Sequence, residues 1–255
     1  MPSLFPVAIA LSLLTSCSLL EPTDASVTPQ RPTVSFDPNT TAHGTFEIEG
    51  GFVRSSDENQ SLPLSLKYGA GPQTELFLAN APFVRLERPG GIERGPSDLS
   101  VGVRHRVLDS DGASPSAAVQ AIVQLPTASR SDGLSDGETD AFFAGTVDFG
   151  IADATATAFY SLDLLGQVDG STEVGHTAAF ALAQPPSGNF SLFGELAFSV
   201  VPDLSTESYL ATIGLAHSTE PTTVFDIALV LGLNDEPADW QLVIGLTRNL
   251  GRPRR

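Results

Sequence analysis

From Thr45 onward, apolar and polar residues alternate with a period of two, the pattern of a strand whose faces meet two different environments. Between Asn189 and Val201, Phe190, Leu192, Leu196, Phe198 and Val200 share one face, and Asn189, Ser191, Glu195 and Ser199 the other. Residues 223–232 set Phe225, Ile227, Leu229 and Leu231 against Asp226, Ala228 and Gly232. Residues 240–250 set Trp240, Leu242, Ile244, Leu246 and Leu250 against Gln241, Thr247 and Asn249, and residues 98–107 oppose Leu99, Val101 and Val103 to Asp98, Ser100, Arg104 and Arg106. Followed along the chain, the pattern predicts twelve strands, near 45–53, 61–70, 74–85, 98–108, 116–126, 139–149, 154–165, 173–183, 189–201, 207–217, 223–232 and 239–250. No helix-period segment of useful length interrupts them.

Most of these strands approach the ~9–11 residues that a tilted strand needs to cross a bilayer, against ~5–6 in soluble sheets. The connections also alternate. Those after the second, sixth, eighth and tenth strands are tight, and those after the third and fifth, over 86–97 and 127–138, are long and polar. Short turns at one end and long loops at the other are the asymmetry of an outer-membrane barrel. The expected fold is therefore all-β, a 12-stranded antiparallel transmembrane β-barrel over residues 44–251. A secreted, lipid-anchored β-sandwich serving as a binding or structural module is the alternative, since it too alternates and lacks helices. The two differ in where the apolar faces look: out at lipid, or in at a second layer that would seal Phe190, Leu192, Phe225 and Leu229.

The segments before the strands fix the compartment. Residues 4–20 form an apolar run of signal-peptide length, too short for a membrane helix, and end in small residues before Cys17. The expectation is a signal peptide over 1–16, with Leu14-Thr15-Ser16-Cys17 as a lipobox whose cysteine is lipidated. Residues 17–43 carry Pro22, Pro29, Pro32 and Pro38 among Ser, Thr and Asp, and read as a flexible lead-in. Arg252-Pro253-Arg254-Arg255 reads as a basic tail.

Composition narrows the partners. Acidic residues outnumber basic ones 30 to 13, for a formal charge of −17 and a pI near 4.3. A nucleic-acid binder needs a basic footprint, so no nucleic-acid partner is expected. A single cysteine excludes an intramolecular disulfide and a cysteine-clustered metal site. No cofactor is called for. The expected partners are outer-membrane lipid and a small solute that the sequence does not identify.

With the strands in place, several segments resemble the outer-membrane barrels named for the meta-pathway of phenol degradation, a group assigned to transport. Gly95-Pro96-Ser97-Asp98-Leu99-Ser100-Val101-Gly102-Val103-Arg104-His105-Arg106 looks like that family's Gly-x-Gly-Asp strand, with Ser97 in the place of the second glycine. Gln124-Leu125-Pro126-Thr127 is similar to its strand end before a long loop, Ser191-Leu192-Phe193-Gly194-Glu195 to its Phe-Gly-Glu strand, and Asp226 through Gly232 to its penultimate strand. The resemblance covers roughly 45–250. It implies passage or binding of small, including aromatic, solutes and names none; the function expected is non-enzymatic.

Strand parity gathers charged residues on the faces opposite the apolar ones. A charge facing hydrocarbon costs about 2–4 kcal/mol for Arg or Lys at mid-membrane, so these must face a lumen or each other. Arg104, Arg106, Glu195, Asp226, Asp98 and Asp148 are the candidates for lining a route; an acidic conduit would favour cations or neutral solutes. Pairing of acids with bases across strands, bracing a narrow barrel, is the competing use of the same residues. Gly133-Leu134-Ser135-Asp136-Gly137 matches a nucleophile elbow, which would make the wall a hydrolase, but lies in a polar loop with no following helix, and its Asp-Gly pairs explain it as turn chemistry. Asp132, Asp136, Glu138 and Asp140 could hold Ca²⁺, yet their spacing matches no EF-hand. His105, His176 and His217 share parity with apolar neighbours and are expected at the membrane interface.

Overall fold

The computed structural model describes residues 20–88, 90–110, 114–185 and 187–254. The expected export signal and the lipidation site Cys17 lie outside the described residues. Twelve long strands follow one another: β1 (Phe46–Ser55), β2 (Leu64–Gly71), β3 (Thr74–Asn80), β4 (Leu99–Leu108), β5 (Ser116–Leu125), β6 (Asp140–Ile151), β7 (Ala154–Gly166), β8 (Thr172–Ala183), β9 (Phe190–Val201), β10 (Thr206–Glu220), β11 (Thr223–Gly232) and β12 (Trp240–Pro253). Each pairs antiparallel with the next, and β12 returns to β1 with Ile244 opposite Phe52 and Gly245 opposite Gly51. The sheet is a closed 12-stranded barrel. Closure pairs both edges, so no backbone row is left open towards an apolar solvent.

The rim that carries the start of β1 and the end of β12 is here the terminal rim. Its turns at 72–73, 152–153 and 221–222 are two residues each. The distal rim carries the two longest connections, over 81–98 and 126–139. In the longest of these, the third strand, expected to reach residue 85, ends at Asn80. Pro82 cannot donate to a ladder, and Ala81 instead turns its N–H to Ser97 Oγ at 2.7 Å. A separate hairpin, Val84–Arg88 with Gly91–Gly95, then stands on the rim, joined to β1 through the short strand Gln60–Ser61.

The faces decide between barrel and sandwich. Leu196 and Ile213 are 61% and 57% exposed, and Phe190, Leu192, Phe225 and Leu229 lie in the same outward band. Inside, Glu47 and Glu75 are 0% exposed, and Lys67, Glu195 and Asp226 are buried with them. This inverts the usual order of a soluble protein, in which such charges are almost never buried and so wide an apolar band is not left bare. The outward face suits lipid tails, and the sandwich is excluded. Leu196→Glu puts a carboxylate in that band; it is expected to destabilise by somewhat less than the ~2–4 kcal/mol of a mid-membrane Arg. The measurement is the urea midpoint of the protein folded in lipid vesicles; Gln241→Glu, on the inner face, should leave that midpoint unchanged.

Residues 22–43 differ from the expected flexible lead-in. They run inside the barrel, where Ser35, Phe36, Pro38, Thr40 and Thr41 are buried. Prolines do rule out a ladder or a helix, as read from the sequence. They do not require solvent, because the remaining N–H groups find acceptors on the inner wall.

Candidate functional site: a lumen filled by its own chain

The segment enters at the terminal rim. Leu20–Glu21 pairs with Arg252–Pro253, so the expected basic tail is in part the end of β12. Arg252 Nε meets Glu21 at 3.1 Å, and Val27 donates to the carbonyl of Pro221 at 3.0 Å. The chain then climbs along β1. Thr28 donates its N–H to Glu47 at 3.0 Å, with its hydroxyl at 3.3 Å, and Gln30 donates its N–H to Glu49 at 3.0 Å. It next crosses the lumen. Val34 and Ser35 donate their N–H groups to the two oxygens of Glu195 on β9 at 2.7 and 2.8 Å, and the Ser35 hydroxyl donates to the same carboxylate. Phe36 packs edge-on against Phe159 of β7 at 5.5 Å, while its carbonyl accepts from Thr146 Oγ1 of β6 at 2.7 Å. On the way back, Thr41 gives its N–H and hydroxyl to Glu75 at 2.7 and 2.6 Å, and Gly44 donates to Gly69 at 2.7 Å before β1 begins. The segment is thus a looped plug with its apex near mid-barrel.

The wall is thinned where the plug comes close. A Cβ on Gly51 would lie 2.6 Å from Arg31 Nη1 and 2.3 Å from the carbonyl of Ile244, and one on Gly69 would lie 2.2 Å from the carbonyl of Ala42. Gly51→Ala therefore crowds both the β1–β12 seam and the Arg31 guanidinium. It should lower folding stability by the ~1–3 kcal/mol of an overpacked interior, read as a lower urea midpoint in vesicles.

Charge on the wall is divided. Lys67 is held by Glu47, by Glu49 at 2.8 Å and by the carbonyl of Thr28 at 2.6 Å. Arg104 faces Glu75 at 3.4 Å, bonds Gln120 Oε1 at 2.7 Å and lies 4.3 Å from the centre of the Phe36 ring, a cation–π contact. Between Arg130 and Arg248, by contrast, the sequence has neither Lys nor Arg. The half-barrel from β6 to β11 therefore carries acids and neither Lys nor Arg. Asp148 is satisfied by the Thr157 hydroxyl at 2.7 Å, and Asp163 by the hydroxyls of Ser161 and Thr177. Glu195 takes its donors from the plug. Neither oxygen of Asp226 has a hydrogen-bond partner; the positive charge that acts on it is Arg31 of the plug, whose Nη1 is likewise unpaired. On the distal side of the plug a cavity of about 420 Å³ remains, lined by Arg31, Ser35, Glu49, Phe77, Arg104 and Gln120 among others.

All six residues singled out from the sequence point inward, but they do different things. Arg104, Glu195 and Asp226 are buried around the plug. Asp148 lies lower on β6. Asp98 sits at the distal rim and accepts the N–H of Ala128 at 2.8 Å. Arg106 stands near the terminal rim, 2.5 Å from Asp109. What the periodicity did not point to are the plug residues Thr28, Gln30, Arg31, Ser35 and Thr41. Their only signal is a proline-spaced run of Ser, Thr and Gln with few charges.

The other candidates resolve simply. Ser135 Oγ accepts the N–H of Gly137 at 3.0 Å and Asp136 accepts that of Glu138 at 2.9 Å, both turn contacts. Among the described residues no group of three or more His, Cys, Asp or Glu is arranged to hold a metal ion. His105 and His176 bond Thr74 and Tyr160 on the outer face, and His217 stacks on Phe190 with centroids 4.3 Å apart. In the distal turn after β7, Asp169 accepts both the N–H and the hydroxyl of Ser171, which holds its carboxyl below the usual range.

No protein-family model and no curated protein matches the sequence. Among solved structures, the chain is similar to an outer membrane channel from Pseudomonas putida F1, with 13% identity and a TM-score of 0.66 over 91% of this chain and all of that one. It is also similar to the NanC porin (11% identity, TM-score 0.58, over 80% of this chain and all of that one) and the KdgM porin (8%, 0.53, over 79% and 98%). At these identities the likeness is one of fold: an outer-membrane β-barrel.

Proposed function

We propose that the protein is an outer-membrane barrel that passes or binds small solutes without catalysing a reaction, and that residues 22–43 are its gate. The observation that carries this reading is a closed lumen, lined by acids, occupied by the chain's own segment through wall carboxylates. In such barrels the short turns face the periplasm and the long loops face outward, so the plug enters from the periplasmic side. With it seated, the cavity opens towards the cell exterior. With it withdrawn, Glu195 exchanges its plug donors for water and Asp226 loses the Arg31 charge, leaving an acidic conduit that attracts cations and admits neutral solutes. The resemblance to barrels named for phenol degradation adds aromatic solutes to that class; Phe36, Phe77 and Ile122 beside Arg104 give the cavity an apolar patch next to a cation. Acylation of Cys17 belongs to the same reading, since the chain reaches the periplasmic rim only a few residues later.

Planar-bilayer recordings test this. Low or flickering conductance is expected from the full chain, and a larger, cation-favouring conductance once the plug is weakened. Silence in both states, with correct folding shown by heat-modifiable gel migration, would count against a solute route.

A further inference from the structure

We infer that the lumen is a receptor for polypeptide main chain, and that short neutral or basic peptides are the solutes it reads. This rests on the passage reading above and goes further by naming the substrate class. One arrangement occurs three times on three different strands: a wall carboxylate takes both the N–H and the side-chain hydroxyl of one residue. Thr28 sits on Glu47 in this way, Ser35 on Glu195 and Thr41 on Glu75. Gln30 adds a fourth carboxylate contact through its N–H alone, to Glu49. The wall also reads acceptors: Lys67 Nζ holds the carbonyl of Thr28 and Thr146 Oγ1 that of Phe36.

Main-chain donors and acceptors are therefore both met, by groups fixed on rigid strands. Every residue but proline carries an N–H, so recognition of this kind is broad, with a preference for Ser or Thr where the hydroxyl reaches a carboxylate. The plug's own Pro29, Pro32 and Pro38 fall between the contacts, where no donor is needed. The acids Glu47, Glu49, Glu75, Glu195 and Asp226 disfavour an acidic peptide. Residues 28–41 thus occupy the place of the solute, and an incoming peptide would find the same groups in position once they leave.

The test uses the full chain in liposomes, read by osmotic swelling, as wild type and as a Val34→Pro/Ser35→Ala variant that removes one N–H and one hydroxyl from the Glu195 contact. Three solutes are compared: a neutral Ser/Thr tripeptide, the same tripeptide N-methylated along its backbone, and a sugar of equal size. The tripeptide should enter the variant at least about fivefold faster than either comparator, the effect expected of a single main-chain hydrogen bond. Equal rates for all three overturn the inference while leaving passage intact. No entry by any of them overturns both. Should the variant fail to fold, single-channel recordings on the wild type serve instead: current interruptions by the tripeptide but not by its N-methylated form support the inference, and equal block by both refutes it.

Discussion

Replacing Lys67 with Met is expected to destabilise the barrel by about 3–5 kcal/mol, the cost of breaking a buried ion pair from one side. Lys67 is the only lysine in the chain, and its ammonium sits between Glu47 and Glu49, all three nearly inaccessible to solvent. Without it, two carboxylates on the same face of β1 meet each other's charge with only the N–H groups of Thr28 and Gln30 and the Thr28 hydroxyl to solvate them. Water could reach them only by displacing the plug, so the lesion should appear both as a lower urea midpoint in vesicles and as a leakier lumen. Adding Glu47→Gln and Glu49→Gln to Lys67→Met removes the stranded charges and should restore most of the midpoint. An unchanged midpoint in the single variant would mean that the lumen is wet enough to solvate the pair, and the plug correspondingly loose.

The barrel was legible because a strand between lipid and lumen writes its two solvents into the sequence as strict alternation. The bounds of β9 and β11, read as 189–201 and 223–232, fall within one residue of Phe190–Val201 and Thr223–Gly232, because nearly every outward position in them is apolar. The third strand was read too long because Val84 and Leu86 continue an apolar rhythm across Pro82, in a hairpin that pairs elsewhere. Closure was expected of any membrane-spanning sheet, but its register was not legible: the pairing of Gly51 with Gly245 joins distant parts of the chain and leaves no local trace. The plug was misread for a deeper reason. Its contacts are main-chain N–H groups, identical in every non-proline residue, and their partners are distant; Ser35 and Glu195 are 160 positions apart. Parity could place Glu195 and Asp226 in a lumen. It could not say that on a half-barrel without Lys or Arg, their counterparts would be supplied by residues 31–35.

That dependence makes Glu195→Ala the most informative change at the site. The Glu195 carboxylate holds the apex of the plug through three donors, the N–H groups of Val34 and Ser35 and the Ser35 hydroxyl. A hydrogen bond to a charged group contributes about 1.5–3 kcal/mol. In the variant those donors are stranded while the plug is seated and rehydrated once it leaves, so the loss falls almost entirely on the seated state. A differential of about 3 kcal/mol shifts the ratio of withdrawn to seated plug by roughly 10²-fold. Planar-bilayer conductance should rise accordingly. The urea midpoint should move little, because the β8–β9 and β9–β10 ladders are untouched. Glu195→Gln keeps one acceptor oxygen and should fall between. Conductance unchanged by Glu195→Ala would make the segment a fixed strut that braces the wall rather than a gate, since a strut held also by Glu47, Glu49 and Glu75 can lose its apex contact without leaving the lumen.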